Sequence, residues 1–297
     1  MVEPAVKPDS LPRLLKRLYR FRQAAAGAPR RSLSRLLLPR RKAALVAALR
    51  RDWPGGYALT DRGELAFVPA PLDARGEHVL FHGFAAAPGA AAYAPPGGVV
   101  IDIGANLGEW AVPLAKAVGA AGRILCCEPN PSVAAALAAT LTINNLAQAT
   151  VIPVAISAAD GDGHLAVDAT DSGQSRLADR GLAVRLRSLD SLVAEWELER
   201  IDLLKIDVEG HEAAVLDGAA QTLGRLHPAV IFESGHETSE ERRRIADRLD
   251  ACGYDIVAVL HHYGALACLS DDYRAAERAC AGAEARNLLA LPRRATR

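Results

Sequence analysis

The residues best suited to bind a ligand lie where an apolar segment, Val99–Ile103, meets a glycine-containing turn. The turn has the spacing Asp102-x-Gly104-x-x-x-Gly108, and its glycines allow a sharp bend and close approach of a ligand to backbone amides. A second apolar segment ends at Glu128. An acid at the tip of the second strand is the group with which an α/β sheet binds the two hydroxyls of a ribose. The pattern therefore predicts a nucleoside site.

The candidate nucleoside-binding residues belong to the glycine turn, to the end of the second strand and to the end of a third strand, where a base edge would lie. They are Asp102, Gly104, Ala105, Asn106, Gly108, Glu128, Asn130, Ile156 and Ser157. The dinucleotide fingerprint Gly-x-Gly-x-x-Gly does not occur in the chain, which disfavours a nicotinamide-dependent oxidoreductase.

Carboxylates follow two further apolar segments. Within Leu203–Glu212, the alternation of a strand places Asp207 and Glu209 on one side, next to the start of a helix. Neighbouring carboxylates repel each other unless one is protonated, a cation bridges them, or helix amides stabilise them. The second segment ends at Glu233, which would lie beside Asp207 if the two strands are neighbours. A shared metal ion and a shared catalytic proton both fit this placement.

The predicted catalytic residues share the ends of these two strands. They are Asp207, Glu209, Glu233, His211 and His236. Imidazole titrates near neutrality, so a histidine here is suited to act as a general base, although His236 fits a surface loop equally well. If a metal is bound, Asp207 and Glu233 are its candidate ligands, and Mg²⁺ favours such oxygen atoms.

Strands and helices alternate from residue 97 onward, which predicts an α/β fold with a seven-stranded, mostly parallel sheet and helices on both faces. The predicted strands are Val99–Ile103, Ile124–Cys127, Thr150–Ile156, Leu203–Val208, Ala229–Phe232, Tyr254–Leu260 and Leu288–Leu291. The predicted helices span 109–118, 131–143, 188–197, 211–224 and 238–252. A hairpin of His164–Val167 with Ala183–Leu186 is expected between the third and fourth strands, joined by a polar loop, Asp168–Arg180, over the site.

The N-terminal region differs from the rest of the chain in charge. Residues 1–51 contain 14 basic and two acidic residues, a net charge of +12, and the remainder carries the opposite charge. Apolar periodicity predicts helices over 10–23 and 41–51. We predict a basic helical extension (1–51), a lead-in segment with short strands (52–96) and a cofactor-binding domain (97–297). Packing on the domain or on a second subunit, contact with an anionic membrane, and nucleic-acid contact remain open for the extension.

Cysteine usage and hydropathy bear on the compartment. The five cysteines are odd in number and show no Cys-x-x-Cys spacing, which indicates a reducing compartment and no zinc site. No apolar segment reaches the roughly 18 residues that a membrane-spanning helix needs. We therefore expect a soluble cytoplasmic protein, with peripheral contact at the inner membrane face left open for the basic extension.

Four motifs, in their order, resemble the FkbM family of S-adenosylmethionine (SAM)-dependent methyltransferases. They are Val-Ile-Asp-Ile-Gly-Ala-Asn-Leu-Gly, Glu-Pro-Asn-Pro, Leu-Leu-Lys-Ile-Asp-Val-Glu-Gly-His-Glu and Val-Ile-Phe-Glu. The resemblance covers roughly residues 97–260. It implies the Rossmann-like class I methyltransferase fold, SAM as cofactor, and O-methylation of a sugar or polyketide hydroxyl.

The resemblance leads to a hypothesis for each acid. A sugar hydroxyl is a weak nucleophile, so we expect Asp207 to act as its base, with Glu209 and Glu233 orienting the acceptor or a Mg²⁺ ion. The expected acceptor is a small molecule, a glycan or a lipid-linked sugar. The oligomeric state stays open, and a homo-oligomer is compatible with the sequence.

Two alternatives belong to other functional classes. A nucleic-acid methyltransferase would use the basic extension. The fourth strand, however, ends in Asp207-Val-Glu-Gly instead of the Pro-Pro-aromatic clamp of amine methylation, and aromatic residues make up only 5% of the chain. A non-catalytic nucleoside-binding scaffold would have no need of the neighbouring acids at 207–212.

Overall fold

The computed structural model describes residues 39–60, 63–84, 86, 89–234, 238–261, 264–267 and 286–293. The helix predicted over 10–23 lies outside these residues, and so does His236. The second predicted basic helix is present as Pro39–Asp52.

The described elements alternate along most of the chain, as expected for an α/β fold. The strands are β1 (Gly56–Leu59), β2 (Leu65–Val68), β3 (Val99–Ile103), β4 (Arg123–Cys127), β5 (Ala149–Ile152), β6 (Ala155–Ile156), β7 (Gly161–Ala166), β8 (Arg176–Ala178), β9 (Leu182–Arg187), β10 (Leu203–Ile206), β11 (Ala229–Ser234), β12 (Tyr254–His261), β13 (Gly264–Ala267) and β14 (Arg286–Pro292). The α-helices are α1 (Pro39–Asp52), α2 (Ala74–His82), α3 (Ala111–Val118), α4 (Pro131–Ile143), α5 (Leu189–Glu195), α6 (Glu212–Asp217), α7 (Ala220–Leu226) and α8 (Ser239–Ala251). Short 3₁₀ helices cover Ala90–Tyr93 and Ser172–Gln174.

The central sheet has the strand order β13-β12-β14-β11-β10-β3-β4-β5. Strands β5, β4, β3, β10 and β11 are parallel, whereas β14 runs antiparallel between β11 and β12. All seven predicted strands are present in this sheet, and β13 adds an eighth by pairing with β12. The predicted fold class is confirmed. The strand order changes direction at β3. Because β3, β4, β10 and β11 are parallel, their carboxyl ends meet at one edge of the sheet, and ligands bind to such sheets at this edge, near the change of direction.

The core has two layers because the central strands are buried on both faces. On β3, Val100 packs into one apolar cluster, whereas Ile101 and Ile103 pack into the other. Helices α3 and α4 cover the first face, and α5 to α8 cover the second. Continuous burial of this kind is typical of parallel strands flanked by helices.

Two predicted elements are divided in the structure. The strand predicted over 150–156 separates into β5 and β6, and β6 leaves the central sheet to pair with β9. The helix predicted over 211–224 separates into α6 and α7 at Gly218. A Cβ at this position would lie 2.1 Å from the carbonyl oxygen of Ser157, so the backbone there is held against the end of β6.

The predicted hairpin is present as β7 and β9, with His164 opposite Ala183. The segment between its strands is ordered by β8, which pairs with β7, and by the short 3₁₀ helix. We call residues 168–178 the strap, because they cross the cavity described below.

Candidate active site

The glycine turn after β3 packs directly against the turn after β10. Gly104 has φ +78°, and a Cβ at this position would lie 1.8 Å from the carbonyl oxygen of Asp207. The amides of Gly104 and Ala105 donate to the carbonyl of Cys127, at 3.0 and 3.1 Å, and so tie the turn to the end of β4. Only glycine fits at 104, because both the backbone angle and the space exclude a side chain.

Glu128 lies at the end of β4, where the ribose-binding acid was predicted. Its two carboxylate oxygens accept hydrogen bonds from the amides of Asn106, at 3.0 Å, and Asn130, at 2.8 Å. Burial raises the pKa of Glu128 to about 7, against the opposing effect of these two bonds. The side chain of Asn130 caps α4 by accepting from the amide of Ser132, so its role here is to begin the helix.

A cavity of about 400 Å³ opens at this edge of the sheet. Nine of the predicted site residues line it, and they include both the nucleoside and the catalytic candidates. They are Gly104, Ala105, Asn106, Glu128, Ile156, Asp207, Glu209, His211 and Glu233. The structure thus brings the two predicted groups of residues into one space.

Four predicted binding residues lie behind the cavity wall: Asp102, Gly108, Asn130 and Ser157. Gly108 allows close packing of the turn, since a Cβ there would lie 2.7 Å from Leu137. The hydroxyl of Ser157 lies 2.9 Å from Nε2 of His211. These residues support the lining of the cavity rather than form it.

Asp102 is a buried carboxyl group within the sheet, directly opposite Lys205 on the neighbouring strand. Its Oδ2 has no hydrogen-bond partner. Burial raises the pKa of Asp102 to about 7, although the charge of Lys205 opposes the change.

Asp207, Glu209 and Glu233 form an acid cluster, in which one oxygen of each lies within 4.8 Å of the others. Asp207 follows β10 and Glu233 lies on β11, and the two strands are parallel neighbours, which is the condition under which the sequence placed the two acids side by side. A hydrogen bond joins the carboxyl group of Glu233 to that of Asp207.

Lys205 is the cation that accompanies the acid cluster, and our sequence interpretation did not assign it a role. It is fully buried in β10, with Nζ 3.2 Å from Oδ2 of Asp207 and 3.0 Å from the carbonyl of Ile206. The ammonium also lies 4.9 Å from the centre of the Trp110 ring. The sequence did contain a signal for this role: a lysine lies inside the otherwise apolar strand Leu203–Ile206, and lysine is rarely buried without a partner.

These neighbours move the pKa values of the two carboxyl groups in opposite directions. Burial alone would raise the pKa of Asp207, but Lys205 and the hydrogen bond from Glu233 outweigh it and lower the pKa. Burial and the charge of Asp207 raise the pKa of Glu233 well above its usual range. Near neutral pH, Asp207 is therefore ionised and Glu233 holds the shared proton.

The backbone of the acid turn is held in an uncommon conformation. Glu209 has φ +54°, in the left-handed region that costs a non-glycine residue about 1–3 kcal/mol. Glu212 is buried and accepts from the amides of Val208, at 3.2 Å, and Gly210, at 3.3 Å. The carboxylate of Glu212 thus holds the turn that presents Glu209 to the cavity.

His211 is the second candidate base that lines the cavity. Burial lowers the pKa of His211, and the charge of Arg244 lowers it further, so the imidazole is neutral near pH 7. Its Nε2 is already engaged with Ser157.

The opposite wall of the cavity comes from the strap, which lies within the loop expected over the site, and from α2, which the sequence did not assign to the site. Arg75 on α2 pairs with Glu109, at 3.0 Å, and with Asp171 on the strap, at 3.6 Å. The amide of Ser172 donates to Asp73, the residue that caps α2. The lead-in segment and the strap therefore close the site together.

The sheet order, the reversed strand β14 between β11 and β12, and a ligand cavity at the glycine turn define the class I methyltransferase fold. Residues 102–256, just over half of the chain, match the family described as the methyltransferase FkbM domain, and the chain belongs to this family.

Individual relatives are distant. The chain is 26% identical over 137 residues to hexuronic acid methyltransferase AglP of Haloferax volcanii, a match that covers 45% of this chain and 54% of the relative. The chain thus spans about half the length of this curated relative.

Two solved structures are also only distantly similar to this chain. Methyltransferase FkbM from Methylobacillus flagellatus has a TM-score of 0.44 at 17% identity, over 65% of this chain and 43% of the other. A SAM-dependent O-methyltransferase from Thermotoga maritima has a TM-score of 0.40 at 15% identity, over 68% and 62%.

Proposed function

We propose that this chain transfers a methyl group from SAM to a hydroxyl group of a sugar. The observation that carries the proposal is one cavity lined both by the glycine turn with Glu128 and by the acid cluster. Membership of the FkbM family supports methyl transfer, and the relative named a hexuronic acid methyltransferase supports a sugar as the acceptor.

The residues present fit SAM. Gly104, Ala105 and Asn106 line the cavity, and their amides bond to Cys127 and Glu128, so this rigid turn forms the wall against which the amino-acid end of the cofactor would lie. We assign the ribose to Glu128, and the apolar Val154–Ile156 segment and Leu165 line the part suited to adenine. When bound, SAM supplies an electrophilic methyl group.

The acid cluster is suited to accept the proton that the acceptor hydroxyl loses during methyl transfer. Asp207 is ionised and reaches the cavity, so it is placed to accept the proton of an acceptor hydroxyl, while Glu233 and Glu209 orient that hydroxyl by hydrogen bonds. A carboxylate acceptor would need no base and would be repelled by the ionised Asp207. The cluster therefore favours a hydroxyl acceptor.

Binding of Mg²⁺ by the acid cluster is an alternative that the sequence left open. The three carboxyl groups offer suitable ligand atoms, but Lys205 and the proton held by Glu233 already offset most of their negative charge. We propose that methyl transfer proceeds without a metal, and a chelator in the assay below tests this.

The test compares Asp207→Asn with Asp162→Asn, an exposed control on β7. S-adenosylhomocysteine release is measured with monosaccharides and disaccharides, with and without chelator. Asp207→Asn should bind SAM normally by calorimetry yet lose about 10²–10⁴-fold in kcat, the usual contribution of a general base. Full activity of this variant would exclude Asp207 as the base, and absence of SAM binding by the unmodified protein would overturn the proposed function.

A further inference from the structure

A second pocket, of about 330 Å³, lies between the strap and the acid turn. Four residues line both this outer pocket and the main cavity, so the two spaces are adjacent; they are Arg176, Leu177, Glu209 and His211. The remaining walls come from Gln174 on the strap, Gly210 on the turn and Glu241 near the start of α8. Its volume falls at the lower end of the roughly 300–1,000 Å³ of small-molecule sites.

The boundary between the two spaces passes through Glu209. Nε2 of Gln174 donates to Oε1 of Glu209 at 3.2 Å, which joins the strap to the acid turn at this point. The left-handed backbone of Glu209, held by Glu212, fixes the side chain where it faces both spaces. A ligand in the outer pocket would therefore touch the same carboxylate that faces the reacting hydroxyl.

The chemistry of the outer pocket fits an uncharged polyol. The amide of Gln174 and the guanidinium of Arg176 are donors, and the carboxylates of Glu209 and Glu241 are acceptors. Sugar hydroxyls both donate and accept, so they can satisfy all four groups. A phosphate or a uronate would meet two carboxylates, and a flat apolar ring would find Leu177 as its main apolar contact.

We propose that the outer pocket binds the neutral sugar unit next to the one that is methylated, so that the acceptor contains at least two linked sugars. This inference rests on the proposed function and specifies its substrate. The reacting unit lies in the main cavity beside Asp207, and the glycosidic link passes between the strap and the acid turn.

The experiment measures kcat/KM, through S-adenosylhomocysteine release, for a panel of hexoses and hexuronic acids and for their disaccharides with glucose. For the wild-type protein, kcat/KM for the best disaccharide should be about tenfold higher than kcat/KM for the monosaccharide that this disaccharide contains. This is the factor expected for one additional hydrogen bond to a charged group. Arg176→Ala and Gln174→Ala should lose this preference, because kcat/KM should fall further for the disaccharide than for the monosaccharide. Arg180→Ala changes an exposed arginine two residues after the strap that lines neither space, and this variant should keep the preference.

Saturation-transfer NMR with the same disaccharides, on the protein saturated with S-adenosylhomocysteine, gives a second measurement that does not depend on turnover. The neutral unit should show saturation in the wild type and lose it in Arg176→Ala. Equal kcat/KM for both acceptor lengths, or a preference that survives both substitutions, would overturn the outer subsite and leave the proposed function intact. Normal SAM binding with no sugar bound or methylated would overturn the sugar acceptor and the subsite together.

Discussion

At the scale of single residues, Lys205 explains how three carboxylates share one edge of the sheet. The sequence offered a proton, a bridging cation or helix amides as the relief for their repulsion. The raised pKa of Glu233 indicates that this residue keeps a proton beside ionised Asp207, and the buried side chain of Lys205 lies 3.2 Å from Asp207. Lys205 thus supplies from β10 part of the positive charge that a metal would bring.

Glu128 is expected to determine cofactor affinity. In Glu128→Gln, an amide replaces one of the two oxygens that accept from Asn106 and Asn130, and the ribose hydroxyls lose a charged acceptor. SAM binding, measured by calorimetry, should weaken about 10- to 100-fold, as for the loss of hydrogen bonds to a charged group. The exposed Glu240→Gln should bind like the wild type. Unchanged affinity in Glu128→Gln would show that the ribose lies elsewhere.

Asp102 predicts a dependence of stability on pH. Its pKa is raised to about 7 in the folded chain from the usual 3.8, so the folded state holds a proton that the unfolded state releases between about pH 4 and 7. Stability from this group is full below pH 4 and falls as pH rises to about 7. The free energy of urea unfolding of wild type minus that of Asp102→Asn should therefore decrease across this interval. A difference that stays constant would contradict the raised pKa.

At the scale of elements, the sequence predicted the strands whose positions local residue patterns determine. Apolar segments that end in turns gave β3, β4, β10 and β11, and the rule that parallel strands end at one edge placed Asp207 beside Glu233. A loop over the site was expected at 168–180, and the strap lies there, but its pairing with α2 was missed, because Arg75 and Asp171 are nearly a hundred residues apart and no periodicity links them. The break at Gly218 was missed for a similar reason, since it depends on the carbonyl of Ser157.

The contact between the glycine turn and the acid turn can be tested with a matched pair of glycines. Gly104 and Gly119 have φ of +78° and +67°, but only a Cβ at 104 would meet another atom, the carbonyl oxygen of Asp207. Gly119→Ala should cost about 1–2 kcal/mol, from backbone strain alone. Gly104→Ala should cost more in urea unfolding and also abolish SAM binding. Equal losses in the two variants would show that the turns do not depend on each other.

At the scale of the whole molecule, the segment before the sheet is part of one packed body. Leu49 and Trp53 pack against the cluster on the α3–α4 face, and Nε1 of Trp53 donates to the carbonyl of Val68. The amide of Phe67 donates to Thr140 on α4. Among the described helices, none has both the length and the apolar character needed to cross a bilayer.

Two deletions distinguish the packed part of this segment from the basic residues before it. Removal of residues 1–55 should lower the free energy of unfolding by about 2–3 kcal/mol, because it takes away the partly buried side chains of Leu49 and Trp53. Removal of residues 1–38 should leave stability and SAM binding near those of the full chain. Vesicle co-sedimentation of the shorter deletion then tests membrane contact by the basic region. A large loss of stability on removing 1–38 would show that the fold needs this region.

The backbone contact between Gly104 and Asp207 has a consequence for redesign. The turns at Gly104 and Asp207 are about a hundred residues apart in the chain but are in direct contact, so neither turn can be replaced, lengthened or reoriented without displacing the other. Engineers who wish to change which molecule becomes methylated should leave this contact intact and vary the opposite wall of the cavity, which side chains from α2 and residues 168–178 form.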